Sequence, residues 1–305
     1  MNGEKSFRVV LSAGLIVCIL FAADVSAPSL AAEPDKEVSL RKEILTVHVN
    51  GMDFYCEKSG QGPTIVLVPD GGNDCGPYGK LAELLSDEYT VLTFDPRGGS
   101  RSPDPNPEPV TPSRLADDVA GIVKALELSP VAAYGCSSGG QTVLAFGKRH
   151  PELTKVIMPH EAALQSDTPL PGAGFMFFEQ NATLEPRMQG GISASDVWSI
   201  GSLKGVEAMP ADARTRMQST GGYWAKYYRG SVDRDQYTSE DFAKMPPVEF
   251  TVGTWTPAWL VFANLETAKR GNCPVTWLNS AHHPELSCPD ELAAHIKKTV
   301  KKYMN

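Results

Sequence analysis

Basic clusters are what this chain most conspicuously lacks. Acidic residues outnumber basic ones 36 to 28, and the formal net charge is −8. A surface of that sign repels phosphate backbones and anionic lipid headgroups, so neither a nucleic acid nor a membrane surface is an expected partner. The one local group of lysines, Lys297, Lys298, Lys301 and Lys302, falls on a terminal helix candidate and reads as a solvated face. C-x-x-C pairs and His/Cys clusters with zinc-ligand spacing are absent as well, so no metal and no cofactor is expected. There is no internal repeat. The stretch Val9 to Ala23 is apolar but too short to cross a bilayer comfortably. It follows Lys5 and Arg8 and runs into small residues ending at Ala31-Ala32, the layout of an export signal. Residues 1–32 are therefore expected to be removed, leaving a periplasmic or secreted chain with no membrane contact.

Disulfide pairing is constrained by an odd count. Beyond Cys18, in the leader, stand Cys56, Cys75, Cys136, Cys273 and Cys288, so at least one thiol is free. Cys273 and Cys288 bracket the last strand candidate and are the first choice for a pair; Cys136 reads as a packed free thiol.

What is present is an alternation of short apolar strands with amphipathic helices, which argues for an α/β fold around a mostly parallel sheet. Strand signals lie at Ile44–Val49 and Met52–Cys56, flanking the hairpin dipeptide Asn50-Gly51, and at Thr64–Val68, Thr90–Phe94, Val131–Tyr134, Leu153–Met158, Val248–Val252 and Val275–Leu278. Leu81, Leu84 and Leu85 mark a helix. Thr111-Pro112 opens another, whose apolar face is Leu115, Val119, Ile122, Val123 and Leu126. A last helix begins near Pro289. Between Ala162 and Pro247 the alternation stops and aromatic residues crowd in. The domain reading is a core of 33–162 and 247–305, with residues 163–246 inserted as a mostly helical cap over a substrate pocket.

The chemistry centres on Pro130–Gly140, PVAAYGCSSGG. A buried strand runs into G-x-S-x-G and then into a helix candidate from Gln141 to Arg149. Such a turn is tight enough to strain the serine backbone and to present its hydroxyl at the carboxyl end of a central strand. Ser137 is the candidate nucleophile. A serine hydroxyl needs a base, and the base needs an orienting acid. Asn279–Pro284 follows the last strand and opens at the same sheet edge, so the base is His282 or His283, with His282 preferred. The acid most often follows the strand at 248–252, but here that stretch continues as Gly253-Thr254-Trp255-Thr256-Pro257, without a carboxylate. The strand at 153–158 must end beside the elbow, which brings Glu161 there instead. His160 reads as a packing or hinge residue. An oxyanion needs two N–H donors. One is expected from Ser138, the residue after the nucleophile, and the other from Gly71, in the Pro69-Asp70-Gly71-Gly72 loop.

These stretches resemble the α/β-hydrolase superfamily across essentially the whole mature chain and, more narrowly, the zearalenone lactonase family. The resemblance is carried by VPDGGNDC at 68–75, FDPRGGSRS at 94–102, YGCSSGG at 134–140, HE at 160–161, VGTWTP at 252–257 and AHHP at 281–284. It implies a mostly parallel central sheet with helices on both faces and an inserted helical cap. It implies a Ser137–Glu161–His282 triad with Gly71 and Ser138 as the oxyanion hole, since that family also places a glutamate after its sixth strand. A cap tryptophan packed on substrate matches Trp224; Tyr223 beside it and Asp70 are further candidate substrate contacts. The substrate class implied is a small apolar ester or lactone, cleaved through an acyl-enzyme. Two alternatives remain at this stage: a peptidase resembling proline iminopeptidases, and a non-catalytic relative that binds a small molecule.

Overall fold

The computed structural model describes residues 42–164, 208–228, 236–256 and 258–304. The expected leader at 1–32 and most of the expected cap, 165–207 and 229–235, lie outside the described residues. The strands are β1 (Glu43–Val49), β2 (Met52–Ser59), β3 (Thr64–Val68), β4 (Thr90–Phe94), β5 (Val131–Cys136), β6 (Thr154–His160), β7 (Phe250–Gly253) and β8 (Val275–Leu278). They form one sheet in the order β1-β2-β4-β3-β5-β6-β7-β8. The β1–β2 and β2–β4 pairs are antiparallel and the remaining neighbours are parallel. The β1–β2 hairpin turns on Asn50 and Gly51, both at positive φ, as a two-residue turn of this hand requires.

The helices are α1 (Gly79–Leu85), α2 (Pro112–Ala125), α3 (Ser138–Arg149), α4 (Ala211–Tyr223), α5 (Ser239–Lys244), α6 (Ala258–Arg270), α7 (Pro284–Ser287) and α8 (Pro289–Met304). Every residue of β3 and β5 is buried, because both sheet faces are covered. Ile65, Leu67, Ala132 and Tyr134 point to one face and pack with Leu81, Leu85, Leu292, Ile296 and Val300 of α1 and α8. Val66, Val68, Val131 and Ala133 point to the other and pack with Val119, Ile122, Val123, Val143 and Phe146 of α2 and α3. Each such side chain contributes roughly 1.5–3 kcal/mol by leaving water, and Ile65→Ala at the sheet centre would cost about 2–5 kcal/mol. Thr111 caps α2 by accepting the Arg114 N–H, and Pro112 occupies the first turn, where its missing N–H costs nothing.

The described residues differ from the sequence expectations in four places. Helix α3 starts at Ser138 rather than near Gln141, because the Gly-rich stretch that reads as a turn is already helical. Helix α6 fills a stretch where no helix is expected, although Thr256-Pro257 precedes it in sequence as Thr111-Pro112 precedes α2. In α5, Phe242 packs in the central core with Tyr237, so this segment of the insertion belongs physically to the sheet domain. The Cys273–Cys288 pairing that the sequence left open does not form, and Cys56, Cys75, Cys136, Cys273 and Cys288 are free thiols. The reason is geometric: Cys273 packs with the α2/α3 cluster and Cys288 with the α1/α8 cluster, on opposite faces of the sheet.

Candidate active site

Strand register builds the site. Cys136 of β5 pairs with His160 of β6, so Ser137 and Glu161 leave adjacent strands at the same level. The Ser137 N–H donates to the His160 carbonyl at 2.9 Å, closing the elbow onto the end of β6. Ser137 sits at φ +56°, ψ −118°, a costly backbone for a residue with a Cβ, and it immediately precedes α3. The turn can be this tight because of Gly139: a Cβ there would lie 2.3 Å from the Val68 carbonyl oxygen and 2.5 Å from that of Pro69. The same contact sets the loop after β3 directly against the elbow. Ser138, the first residue of α3, has its N–H at a helix end that lacks intrahelical partners. In the β3 loop, Asn73 N–H donates to the Asp70 carbonyl at 3.0 Å, and the Asp70 carboxylate accepts the Gly72 N–H, which leaves Gly71 at the centre of the turn.

Glu161 is fully buried and also takes a positive φ, +41°. Its N–H donates to the Thr251 carbonyl of β7 at 3.2 Å. Its carboxylate divides its lone pairs: Oε1 accepts the Gly253 N–H at 2.6 Å, and Oε2 accepts from His282 Nδ1 at 2.7 Å. The position after β7, where a carboxylate is more usual, thus contributes a backbone donor. Gly253 is confined there, since a Cβ would come within 2.5 Å of the Ser280 carbonyl oxygen. Burial alone would raise the Glu161 carboxyl; the neighbouring His160 and His282 imidazoles and the Gly253 N–H outweigh it and hold the group below the usual carboxylate range. His160 is buried, with Nδ1 2.9 Å from Thr251 Oγ1 and Nε2 3.7 Å from Glu161. Burial pushes its pKa down to about 4, so at neutral pH it is an uncharged brace.

Of the two adjacent histidines, His282 turns its Nδ1 to Glu161, while His283 turns its Nδ1 to Glu285 at 2.8 Å and Asp70 at 3.0 Å. Their rings meet edge to face, 4.9 Å between centroids. The His282 loop is tied to the elbow by the Cys136 thiol, which donates to the His282 carbonyl at 3.0 Å. Burial would lower the His283 pKa, but the Asp70 and Glu285 carboxylates outweigh it and raise the group well above its ordinary value. Asp70 therefore meets His283 and Gly72. The Tyr223 hydroxyl is likewise engaged within the protein, donating to Asp104 Oδ2 at 3.0 Å. Trp224 opens the π-helical turn Trp224–Tyr228, but its side chain lies outside what the structure describes. Thr251, Gly253 and Glu285 have parts in this arrangement that the sequence does not single out, and His283, the alternative base, faces Asp70 and Glu285 instead of Glu161. The nearest signal was the His283-Pro284-Glu285 run beside His282.

Residues 65–295 match the alpha/beta hydrolase family. A zearalenone hydrolase from Cladophialophora bantiana is 30% identical over 273 residues, covering 87% of this chain and 98% of that protein. One from Bionectria ochroleuca is 29% identical over 264 residues, covering 84% and 96%. Among solved structures, the enol-lactonase from Burkholderia xenovorans LB400 superposes with a TM-score of 0.64 at 20% identity, covering 84% of this chain and all of that one. Its likeness is one of fold. Register, elbow and the length of the match agree: this chain belongs to the α/β-hydrolase family.

Proposed function

We propose that the protein is a serine hydrolase that cleaves an apolar ester or lactone through Ser137, His282 and Glu161. The observation that carries the reading is the 2.7 Å bond between His282 Nδ1 and a fully buried Glu161, beside a serine in an elbow backbone. A carboxylate accepting at Nδ1 sets the tautomer and makes Nε2 the ring's basic nitrogen. In this mechanism His282 removes the Ser137 hydroxyl proton as Oγ attacks the substrate carbonyl carbon. The oxyanion is met by the Ser138 and Gly71 N–H groups. Collapse expels the alkoxide leaving group, which takes the proton from His282. Water, deprotonated by the same imidazole, then attacks the acyl-enzyme; the acyl–Oγ bond breaks, His282 returns the proton to Ser137 Oγ, and the acid is released. Glu161 stays ionised and stabilises the transient imidazolium. In a lactone the alkoxide and the acid remain parts of one molecule, so the product is a single hydroxy acid. The two relatives named as zearalenone hydrolases support the lactone half of the proposal.

The test is a side-by-side panel of activated aryl esters, lactones including zearalenone, and prolyl amides, with wild type and Ser137→Ala. Ester or lactone turnover lost in the variant is expected. Equal rates for the two proteins, or turnover of prolyl amides alone, would refute the reading. Export is a second part of the proposal, resting on the layout of residues 1–32. N-terminal sequencing after expression of the full chain in a bacterium should find the mature protein starting near Glu33.

A further inference from the structure

Directly behind the three proposed catalytic pieces lies a buried cluster that hydrolysis does not use. Its members are each the sequence neighbour of a catalytic residue: Cys136 precedes Ser137, His283 follows His282, and Asp70 precedes Gly71. Glu285, on α7, completes it. Three groups converge on one atom, His283 Nδ1: Glu285 Oε1 at 2.8 Å, Asp70 Oδ2 at 3.0 Å and Cys136 Sγ at 3.9 Å. A single ring nitrogen carries at most one proton, which fully serves only one of two carboxylates. The ligand atoms of Cys136, His283 and Glu285 all lie within 4.8 Å of one another. The other Glu285 oxygen, Oε2, is buried with no hydrogen-bond partner, on a residue only 1% exposed. The hydroxyls of Tyr78 and Tyr134, fully buried, also have no hydrogen-bond partner and lie within electrostatic range of Glu285 and Cys136. Two carboxylates share one ring nitrogen while Glu285 Oε2 has no partner, and burying an unsatisfied polar group is expensive.

We infer that Cys136, His283 and Glu285 form a binding site for a thiophilic divalent cation of the zinc class, with Asp70 held against His283 beside it. The donor set of one thiolate, one imidazole and one carboxylate, with a fourth position left for solvent, suits a borderline-soft ion. In a tetrahedral zinc site with bonds of about 2.0 Å to nitrogen and oxygen and 2.3 Å to sulfur, ligand atoms stand about 3.3–3.5 Å apart. Here the ligand atoms of Cys136, His283 and Glu285 all lie within 4.8 Å of one another, so metal loading would draw them together. The site escapes a search for zinc spacing because Cys136, at the end of β5, and His283 stand 147 residues apart in the chain. The partly exposed edge of His283 provides a way in. A bound cation would cross-link the loops that carry Gly71, Ser137 and His282, and so stabilise the fold.

The experiment uses the untagged chain, stripped with chelator and titrated with Zn²⁺ by calorimetry, with Co²⁺ as a spectroscopic substitute. Substrate is not involved, so the outcome is independent of the hydrolase reading. Expected are one equivalent of Zn²⁺ per chain, a rise in Tm on loading, and a thiolate-to-cobalt charge-transfer band. Glu285→Gln and Cys136→Ser should each weaken binding by ~10-fold or more, and the Cys273→Ser/Cys288→Ser double variant should bind as wild type. No saturable binding, binding unchanged in both single variants, or binding lost in the double variant would overturn the inference. Should a single variant fail to fold, the wild-type cobalt spectrum decides: without a thiolate band Cys136 is not a ligand and the proposed site is wrong.

Discussion

The sheet edge at Ser137 and the helix above it, α4, are held by different forces. At the edge the decisive bonds are main-chain ones set by strand register, and His160, Glu161 and Thr251 are fully buried. Helix α4 buries only Ala213. It is attached through side chains: Arg216 pairs with Asp74 at 2.6 Å, Tyr223 with Asp104, and Met217 covers Gly72 in the oxyanion loop. Just beyond it, Tyr228 donates to the Arg97 carbonyl at 2.7 Å, and Val110 N–H to the Tyr227 carbonyl at 2.8 Å. The lesson is a division of labour. The arrangement at Ser137 depends on strand register and tolerates little change, whereas α4, among the described residues, is held by a few polar side-chain contacts that can be altered one at a time.

Breaking the edge should have the largest effects. Ser137→Ala should reduce turnover of an aryl ester by about 10⁴-fold or more, and Glu161→Gln by about 10³–10⁴-fold in kcat with KM little changed. A Glu161→Gln enzyme of near-full activity would mean that another group orients His282. Acid should act on the same edge. His160 has a pKa of about 4 when folded, below the ordinary value near 6.5, so the unfolded chain takes up the proton first. Stability is therefore undiminished above about pH 6.5 and falls as the pH drops toward 4, by about 2–3 kcal/mol between pH 7 and 4.5 from this group. Glu161, whose folded pKa is depressed, adds a loss at the acid end of that window. Thermal unfolding at both pH values should show the fall, and His160→Gln should make it shallower.

Cap variants sharpen the comparison from the other side. Arg216→Ala removes one partner of the buried Asp74, which keeps Arg101 at 3.6 Å. We expect a loss of about 1–2 kcal/mol in cap docking, read as a several-fold rise in KM for a bulky lactone. The kcat for a small aryl ester should stay within about twofold. Tyr223→Phe, which deletes one hydrogen bond to Asp104, should cost about 1 kcal/mol and shift KM less. If either substitution lowered kcat as much as Glu161→Gln, cap and edge would not be separable.

Much of the edge could be read from sequence because its signals are local. The runs Thr64–Val68, Thr90–Phe94 and Val275–Leu278 are strands with those bounds, and the strand before Ser137 has the expected apolar character. Glu161 could be placed by topology alone: a parallel strand that returns beside β5 must deliver its last residues next to the elbow. The rest depended on contacts between loops far apart in the chain. Nothing near Gly253 announces that its N–H will hold Glu161. Nothing in Asp70, Cys136 or Glu285 taken singly announces that they meet at His283. The proximity of Cys273 and Cys288 in sequence was misleading, because a strand and its loop carry them to opposite faces of the sheet.

The most direct test of the account is covalent labelling with a fluorophosphonate ester, which phosphonylates a serine only when a neighbouring base activates it. Intact mass and peptide mapping should find one adduct per chain, on Ser137, absent in Ser137→Ala and formed about 10³-fold more slowly in Glu161→Gln. An adduct on another residue, no adduct at all, or wild-type labelling in Glu161→Gln would contradict it.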